Sequence, residues 1–299
     1  MEEPAQMLRS GSIDAPGKIN LTLEILERAN DGFHRLRSVM APIGVWDRIT
    51  WTPSKRFAFR SGDPALGSDN LVERALRAIG LGDAPLEVVL HKEIPVGGGL
   101  GGGSSDAAAI LRAAMRGAFG EISRSDWIAV ARALGSDVPF FLIDGPALVE
   151  GSGERLTALG APPPWWVCLA VPAIAVDTGD AYKRLDASRG RASERAARAE
   201  SSSVRLGEAL QRHDFDATQA LLCNDFEPVI AAAYPPVARA LDALRAAGAP
   251  RPMLSGSGAC VFALCETEPD ARGLIGRLQG TERALAVPFA SSTAWIAAR

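Results

Sequence analysis

The chain has 299 residues, 47% hydrophobic and 22% charged, with a formal net charge of −3 and a pI of about 5.8. That admits two ordinary domains with ample core, and the acidic balance argues against bulk nucleic-acid binding, which favours a basic surface. No run of about 20 apolar residues exists to cross a membrane, and Met1-Glu2-Glu3-Pro4 lacks the basic start and apolar stretch of a signal peptide, so a soluble cytoplasmic protein is expected.

Residues 18–26 alternate. Ile19, Leu21, Leu23 and Ile25 point one way, and Lys18, Asn20, Thr22 and Glu24 the other, which predicts a half-buried strand. Asp31-Gly32 is a turn signal, and Val39–Trp51 reads as more strand. Asp69 is placed to cap a helix with Leu71, Val72, Ala75, Leu76 and Ile79 on its apolar face, ending at Gly80. Leu86–His91 is a short apolar strand. Lys92-Glu93-Ile94-Pro95-Val96 follows, then Gly97-Gly98-Gly99-Leu100-Gly101-Gly102-Gly103, six glycines in seven positions. Ser104 or Ser105 is expected to cap the alanine-rich helix beyond, with Asp106 in its first turn and Ala108, Leu111, Met115 and Ala118 as its apolar stripe. Another helix is expected from about Ser125 to Leu134, stopping at Gly135.

Ala161-Pro162-Pro163-Pro164 is the candidate boundary, because three prolines block continuation of helix or sheet. Domains 1–160 and 161–299 are therefore expected. Trp166–Val171 begins new strand. Residues 187–203 are polar and low in complexity, and without a large apolar side chain they cannot anchor a core. Helices are expected near Val204–Arg212, Asp216–Cys223 and Pro236–Ala247, a strand over Ala259–Leu264 after Ser255-Gly256-Ser257-Gly258, a helix over Pro269–Leu278, and strands at the end. The mixed order, without repeated βαβ units, favours an α+β fold. Cys168, Cys223, Cys260 and Cys265 form no C-x-x-C pair and read as reduced thiols. The scattered His34, His91 and His213 argue against a zinc site, and no residue is nominated as a metal ligand.

The glycine loop is the most informative stretch. Backbone without side chains brings amide N–H groups around an anion, and the following helix adds unsatisfied N–H groups and the positive end of its dipole. A Walker loop ends in Gly-Lys-Ser/Thr, and no lysine follows Gly103. A dinucleotide turn needs an acidic residue about 20 positions on at a strand end; Asp126 has that spacing but sits at a helix start. A flexible linker would be Gly/Ser-rich on both sides, whereas this loop is flanked by ordered-looking segments. Phosphoryl transfer to a hydroxyl also needs charge neutralisation and a base. Lys18 and Asp137, the latter in Ser136-Asp137-Val138-Pro139-Phe140-Phe141, are candidates for those roles, against the plainer readings of an exposed lysine and a turn aspartate.

Three segments carry a resemblance: Ala15-Pro16-Gly17-Lys18-Ile19-Asn20-Leu21 with Asp31-Gly32-Phe33-His34, Ile94 through Ala107, and Ser255 through Ala263. Leu134–Phe141 and Glu150-Gly151-Ser152-Gly153-Glu154 support them. Together they span nearly the whole chain and are similar to the GHMP family of small-molecule kinases, which includes galactokinase, homoserine kinase and mevalonate kinase. The Asp-Gly-Phe-His turn and the Gly-Ser-Asp-Val-Pro segment are closest to the branch that acts on a cytidine diphosphate conjugate of methylerythritol.

The resemblance implies an α+β two-domain GHMP kinase fold, with the glycine loop in the first domain, a ferredoxin-like sheet in the second and the active site between them. It implies transfer of phosphate from ATP, with Mg²⁺, to the 2-hydroxyl of that conjugate. Asp137 takes the part of base and Lys18 of electrostatic partner. Pro95, Val96, Gly97, Gly98, Gly99, Leu100, Gly101, Gly102, Gly103, Ser104 and Ser105 wrap the phosphates, while Asn70 and Lys92 lie near base and sugar. Asn20, Phe33, His34 and Thr178 match the acceptor pocket; an aromatic face stacks on a pyrimidine and an imidazole bonds its edge. Phe33 stands where the family more often has tyrosine, and 187–203 resembles an insertion. Rival readings are a GHMP kinase acting on another alcohol, a nucleotide-binding module without catalysis, and a dinucleotide-dependent oxidoreductase.

Overall fold

A computed structural model describes residues 8–29, 32, 34–63, 66, 69–122, 126–189, 201–280 and 283–290. Asp31, Phe33, Ser125, most of the 187–203 segment and the last nine residues lie outside them. Two long antiparallel strands, β1 (Gly11–Arg28) and β2 (His34–Pro53), are the spine of a mixed sheet. Next along the chain come β3 (Ala58–Ser61), α1 (Leu71–Ala78), β4 (Leu86–His91), α2 (Gly102–Met115), α3 (Trp127–Leu134) and a 3₁₀ turn at Phe140–Leu142. The hairpin of β5 (Ala147–Gly151) and β6 (Arg155–Ala158) adds to β2.

The proline run then leads into β7 (Trp166–Val171), α4 (Thr178–Arg189), α5 (Ser202–Gln211), α6 (Phe215–Leu221) and β8 (Cys223–Asn224). The chain continues through α7 (Glu227–Ala233), α8 (Pro235–Ala246), β9 (Met253–Leu254), β10 (Val261–Cys265), α9 (Glu268–Arg277) and β11 (Arg283–Pro288). The first sheet runs β3-β4-β2-β1-β8, and the second runs β11-β7-β10-β9 with every pairing antiparallel. In chain order the second sheet's strands lie fourth, first, third, second, which is the ferredoxin-like arrangement expected.

Apolar burial explains the layering. Ile49, Val88, Leu90, Leu76, Ile110 and Leu111 pack α1 and α2 on one face of the first sheet. Ile19, Leu21, Ala41 and Ile43 meet Val167, Leu169, Phe262 and Leu264, so the two sheets share a core. Val261, Ala263, Val237, Leu241 and Leu274 bury the helices of the second half on the far face of the second sheet. The proline run thus lies between the sheets in sequence, while α5 and β8 cross back to the first sheet: Thr22 and Leu23 of β1 pair with Cys223 and Asn224.

β1 departs from the half-buried strand the alternation predicts. Lys18, Asn20, Thr22 and Glu24 are all buried, and each has a partner, as buried polar groups require. Thr22 Oγ1 donates to Ser203 Oγ at 2.8 Å. Glu24 accepts from Ser201 Oγ, Ser203 Oγ and the Ser203 amide at 2.5, 2.7 and 3.1 Å, placing a carboxylate at the N-terminus of α5. Burial raises the Glu24 pKa, but these hydrogen bonds outweigh it and hold the carboxyl below its ordinary value. A depressed folded-state pKa contributes stability that is present above the unfolded value and is lost as pH falls through the folded one. Glu24→Ala is therefore expected to cost about 1–3 kcal/mol at pH 7, with the gap to the native protein narrowing below about pH 4. Urea unfolding at the two pH values measures it, and equal midpoints at pH 7 would remove Glu24 from the account.

Other boundaries differ for local reasons. Asn70, not Asp69, caps α1, accepting from the Val72 and Glu73 amides, while Asp69 adopts φ 70°. Gly101, at φ 70°, caps α2 without any side chain, so Ser104, Ser105 and Asp106 lie inside the helix. Met115, expected in the α2 stripe, is exposed. The helix expected over Asp216–Cys223 ends at Leu221, because Cys223 and Asn224 are taken by the β1 edge. The cysteines are free thiols.

Candidate active site

The glycine loop is shaped by its neighbours through its carbonyl oxygens. Gly97 O accepts from the Ala259 amide at 3.3 Å, Gly98 O from the Cys260 amide at 3.0 Å and Leu100 O from the Lys18 amide at 2.9 Å. Gly99 O accepts from Ser255 Oγ at 3.1 Å. Gly97, Gly99 and Gly101 all have positive φ, near 70°, a region open to glycine at little cost. Carbonyls held by the scaffold leave the loop's amides for an anion, and the start of α2, where no side chain bonds the first amides, adds its own.

Lys18 arrives beside this loop from β1, immediately after a register shift at Pro16/Gly17; a bulge re-aims the side chain that follows. Its Nζ donates to Asn20 Oδ1 at 2.6 Å and lies 3.6 Å from Asp137 Oδ2. Asn20 in turn donates to Ser38 Oγ at 2.8 Å, so its amide is used in orienting Lys18. Burial lowers the Lys18 pKa, and the Asp137 charge partly opposes that.

Asp137 follows the end of α3 and is partly open to solvent. Its segment is pinned on the far side. Arg112 of α2 donates to Phe141 O at 2.8 Å, Ile143 O at 3.2 Å and Asp144 Oδ1 at 2.7 Å, and Phe140 and Phe141 are buried. A Cβ on Gly256 would fall 3.3 Å from Lys18 Nζ. Lys18, Asp137, the glycine loop and the 255–258 turn therefore meet at one place.

Lys92 is enclosed. Its Nζ bonds Asp47 Oδ2 and, at 2.9 Å, Asp106 Oδ2. Burial alone would lower its pKa; Asp106 and Asp47 reverse that and leave it above its ordinary value. Burial, with the neighbouring Asp47 charge, pushes the Asp106 carboxyl up against the pull of Lys92. A cleft of about 450 Å³ lined by Gly62, Asp63, His91, Lys92 and Glu93 opens beside this cluster. Asn70 is occupied as the α1 cap, and the next residue, Leu71, approaches Gly103. Among the other loop residues, Val96 is exposed, and Ser105 is buried with its hydroxyl unpartnered.

At the other end of the site His34 stacks on Tyr182 of α4, with ring centroids 5.2 Å apart and planes 13° apart. His34 Nε2 contacts Asp186 Oδ1 at 3.0 Å. Burial, with the nearby charges of Asp137 and Asp186, pushes the Tyr182 phenol up to about 12. Thr178, the first residue of α4, meets Ser257 with its hydroxyl at 2.9 Å. Tyr182 and Ser257 are not among the site candidates that the sequence singles out; α4 shows little amphipathic pattern, and Ser257 enters only within the Ser255–Ala263 segment that carries the resemblance. Phe33 falls outside the described residues. A larger cavity, about 490 Å³, is lined by Arg189, Asn224, Asp225, Glu227 and Arg251 among others, and not by Lys18 or Asp137.

Comparison with known proteins gives the family. Residues 70–145 match the GHMP kinases N terminal domain and residues 207–282 the GHMP kinases C terminal. The chain is 35% identical over 278 residues to a 4-diphosphocytidyl-2-C-methyl-D-erythritol kinase of Symbiobacterium thermophilum, covering 91% of this chain and 96% of that one. It is 41% identical over 258 residues to the protein of the same name from Anaeromyxobacter sp., covering 83% and 80%. A crystal structure of 4-(cytidine 5'-diphospho)-2C-methyl-D-erythritol kinase superposes with a TM-score of 0.76 at 32% identity over 94% of this chain and 100% of that one. A homoserine kinase from Cytophaga hutchinsonii shares the fold at a TM-score of 0.73 and 19% identity. Among the described residues no helix is long and apolar enough to cross a membrane. The chain belongs to the GHMP kinase family, and its activity is phosphoryl transfer from ATP to a small molecule.

Proposed function

We propose that this kinase phosphorylates the 2-hydroxyl of 4-diphosphocytidyl-2-C-methyl-D-erythritol. The observation that carries the chemistry is the 3.6 Å approach of Lys18 and Asp137 beside the glycine loop. The choice of acceptor rests on the relatives, which bear that substrate's name across most of the chain. In this reading the loop amides from Val96 to Ser105 and the start of α2 hold the ATP phosphates. Asp137 accepts the acceptor's hydroxyl proton as oxygen attacks the γ-phosphorus. Lys18, oriented by Asn20, stabilises negative charge on the attacking and transferring oxygens. The stacked His34 and Tyr182 offer an aromatic face and a ring edge for a pyrimidine, with Phe33 nearby in sequence. Thr178 and Ser257, whose hydroxyls lie 2.9 Å apart, are assigned to the polyol end in this reading.

Among the described residues no three His, Cys, Asp or Glu gather as a metal site. In this reading Mg²⁺ enters with ATP, since this ion is held largely by substrate phosphates and water; the unpartnered Ser105 hydroxyl is the chain's candidate oxygen. When bound, Mg²⁺ neutralises charge on the β- and γ-phosphate oxygens. The same reading divides the chain into an ATP-binding part over 1–160 and a second part over 161–299. The test is a coupled assay with ATP and three acceptors. Turnover of the cytidine conjugate is expected, and turnover of homoserine or mevalonate in its place overturns the assignment.

A further inference from the structure

Three charged side chains from separate elements meet beneath the glycine loop, and the phosphoryl-transfer scheme does not use them as a group. Asp47 stands on β2, Lys92 just beyond β4 and Asp106 in α2. Their side chains are 0%, 5% and 2% exposed, so water does not screen them. Lys92 Nζ bonds one oxygen of each carboxylate. The other oxygen of Asp47 accepts from the amides of Glu93 and Ile94 at 2.7 and 2.9 Å. A Cβ on Gly102 would lie 3.0 Å from Lys92 Nζ, so the ammonium rests against the first residue of α2. Asp47 thus grips the chain entering the loop, Asp106 belongs to the helix leaving it, and Lys92 joins the two.

We infer that Asp47, Lys92 and Asp106 form a positioning unit that fixes both ends of the glycine loop to β2 and so sets the direction of its phosphate-binding amides. The inference rests on the reading that the loop holds the ATP phosphates. A loop of glycines has no side chains to lock its own dihedrals, and each residue keeps wide backbone freedom. The 255–260 segment and the Lys18 amide fix its middle; the charged unit fixes its entry and exit. Lys92 then acts through backbone, although its place in sequence also fits direct contact with the nucleotide.

The two roles predict opposite results for Asp47→Asn. If Lys92 touches the nucleotide, loss of a neighbouring negative charge frees the ammonium and leaves ATP binding equal or tighter. If the unit positions the loop, the weakened grip on Glu93 and Ile94 raises the KM for ATP about tenfold or more. Adenosine, which has no phosphate to place, should inhibit the variant within about twofold of the native constant. The KM for the acceptor should also hold. Lys92→Met is expected to follow the same pattern. If it does not fold, Asp47→Asn, which keeps the Lys92–Asp106 pair, still decides. An unchanged or lower KM for ATP in Asp47→Asn, or parallel losses for ATP and adenosine, overturns the inference. Failure of the native protein to use ATP overturns the functional reading beneath it instead, and the inference with it.

Discussion

Asp137→Asn is expected to lower kcat by about 10²–10⁴-fold while leaving the KM for ATP near its native value. Asparagine keeps the size of the side chain and can still accept a hydrogen bond, so the segment held by Arg112 has no reason to move. What it cannot do is take the hydroxyl proton. The change also reaches Lys18. Burial lowers the Lys18 pKa and the Asp137 charge raises it, so removing that charge leaves the burial effect less opposed. Lys18 then loses its proton at a lower pH than in the native protein, and the alkaline limb of the variant's residual pH–rate profile should move to lower pH. Steady-state kinetics across pH measure both effects. A kcat within about threefold of native would take Asp137 out of the proton transfer.

The chemistry was more legible than the packing, and particular residues show why. Local signals survive folding. The Leu86–His91 strand, the proline run and the glycine loop all stand where their neighbours in sequence put them. A positive φ is equally local, yet it was missed at Gly101, because a serine beyond a glycine is the commoner cap. The Lys18–Asp137 approach was reached only through the resemblance, since nothing in either segment says that they touch.

What stayed hidden depends on contacts between distant segments. Glu24 looked solvent-facing because alternation reports that the two faces differ, not that one of them is wet; the partner that buries it, the Ser201–Ser203 end of α5, has no mark in β1. Lys92 read as a nucleotide contact by position alone. Its enclosure by Asp47 and Asp106 comes from two carboxylates on other elements. Tyr182 escaped because α4 is polar almost throughout, with only Ala181 and Leu185 fully buried, so its one ring on the site carries no periodic signature.

Gly99→Ala is expected to lower kcat/KM for ATP on the order of 100-fold, because a displacement of about 1 Å in a positioning element costs that much. Two effects combine. Gly99 sits at φ 76°, where a side chain costs about 1–2 kcal/mol. The added Cβ would also overlap the Ser255 carbonyl oxygen and lie 3.0 Å from that of Gly258. Both obstacles are backbone, so no rotamer relieves them; either the loop or the 255–258 turn must shift, and each carries part of the site around Lys18. Gly117→Ala separates the two effects. Gly117 has φ 77° with nothing within 4 Å of its Cβ position, so it bears the backbone strain alone, just past the far end of α2. That variant should lose about 1–2 kcal/mol of stability with near-native kinetics. If Gly99→Ala also keeps near-native kinetics, the close fit of loop against turn has no part in holding the phosphates.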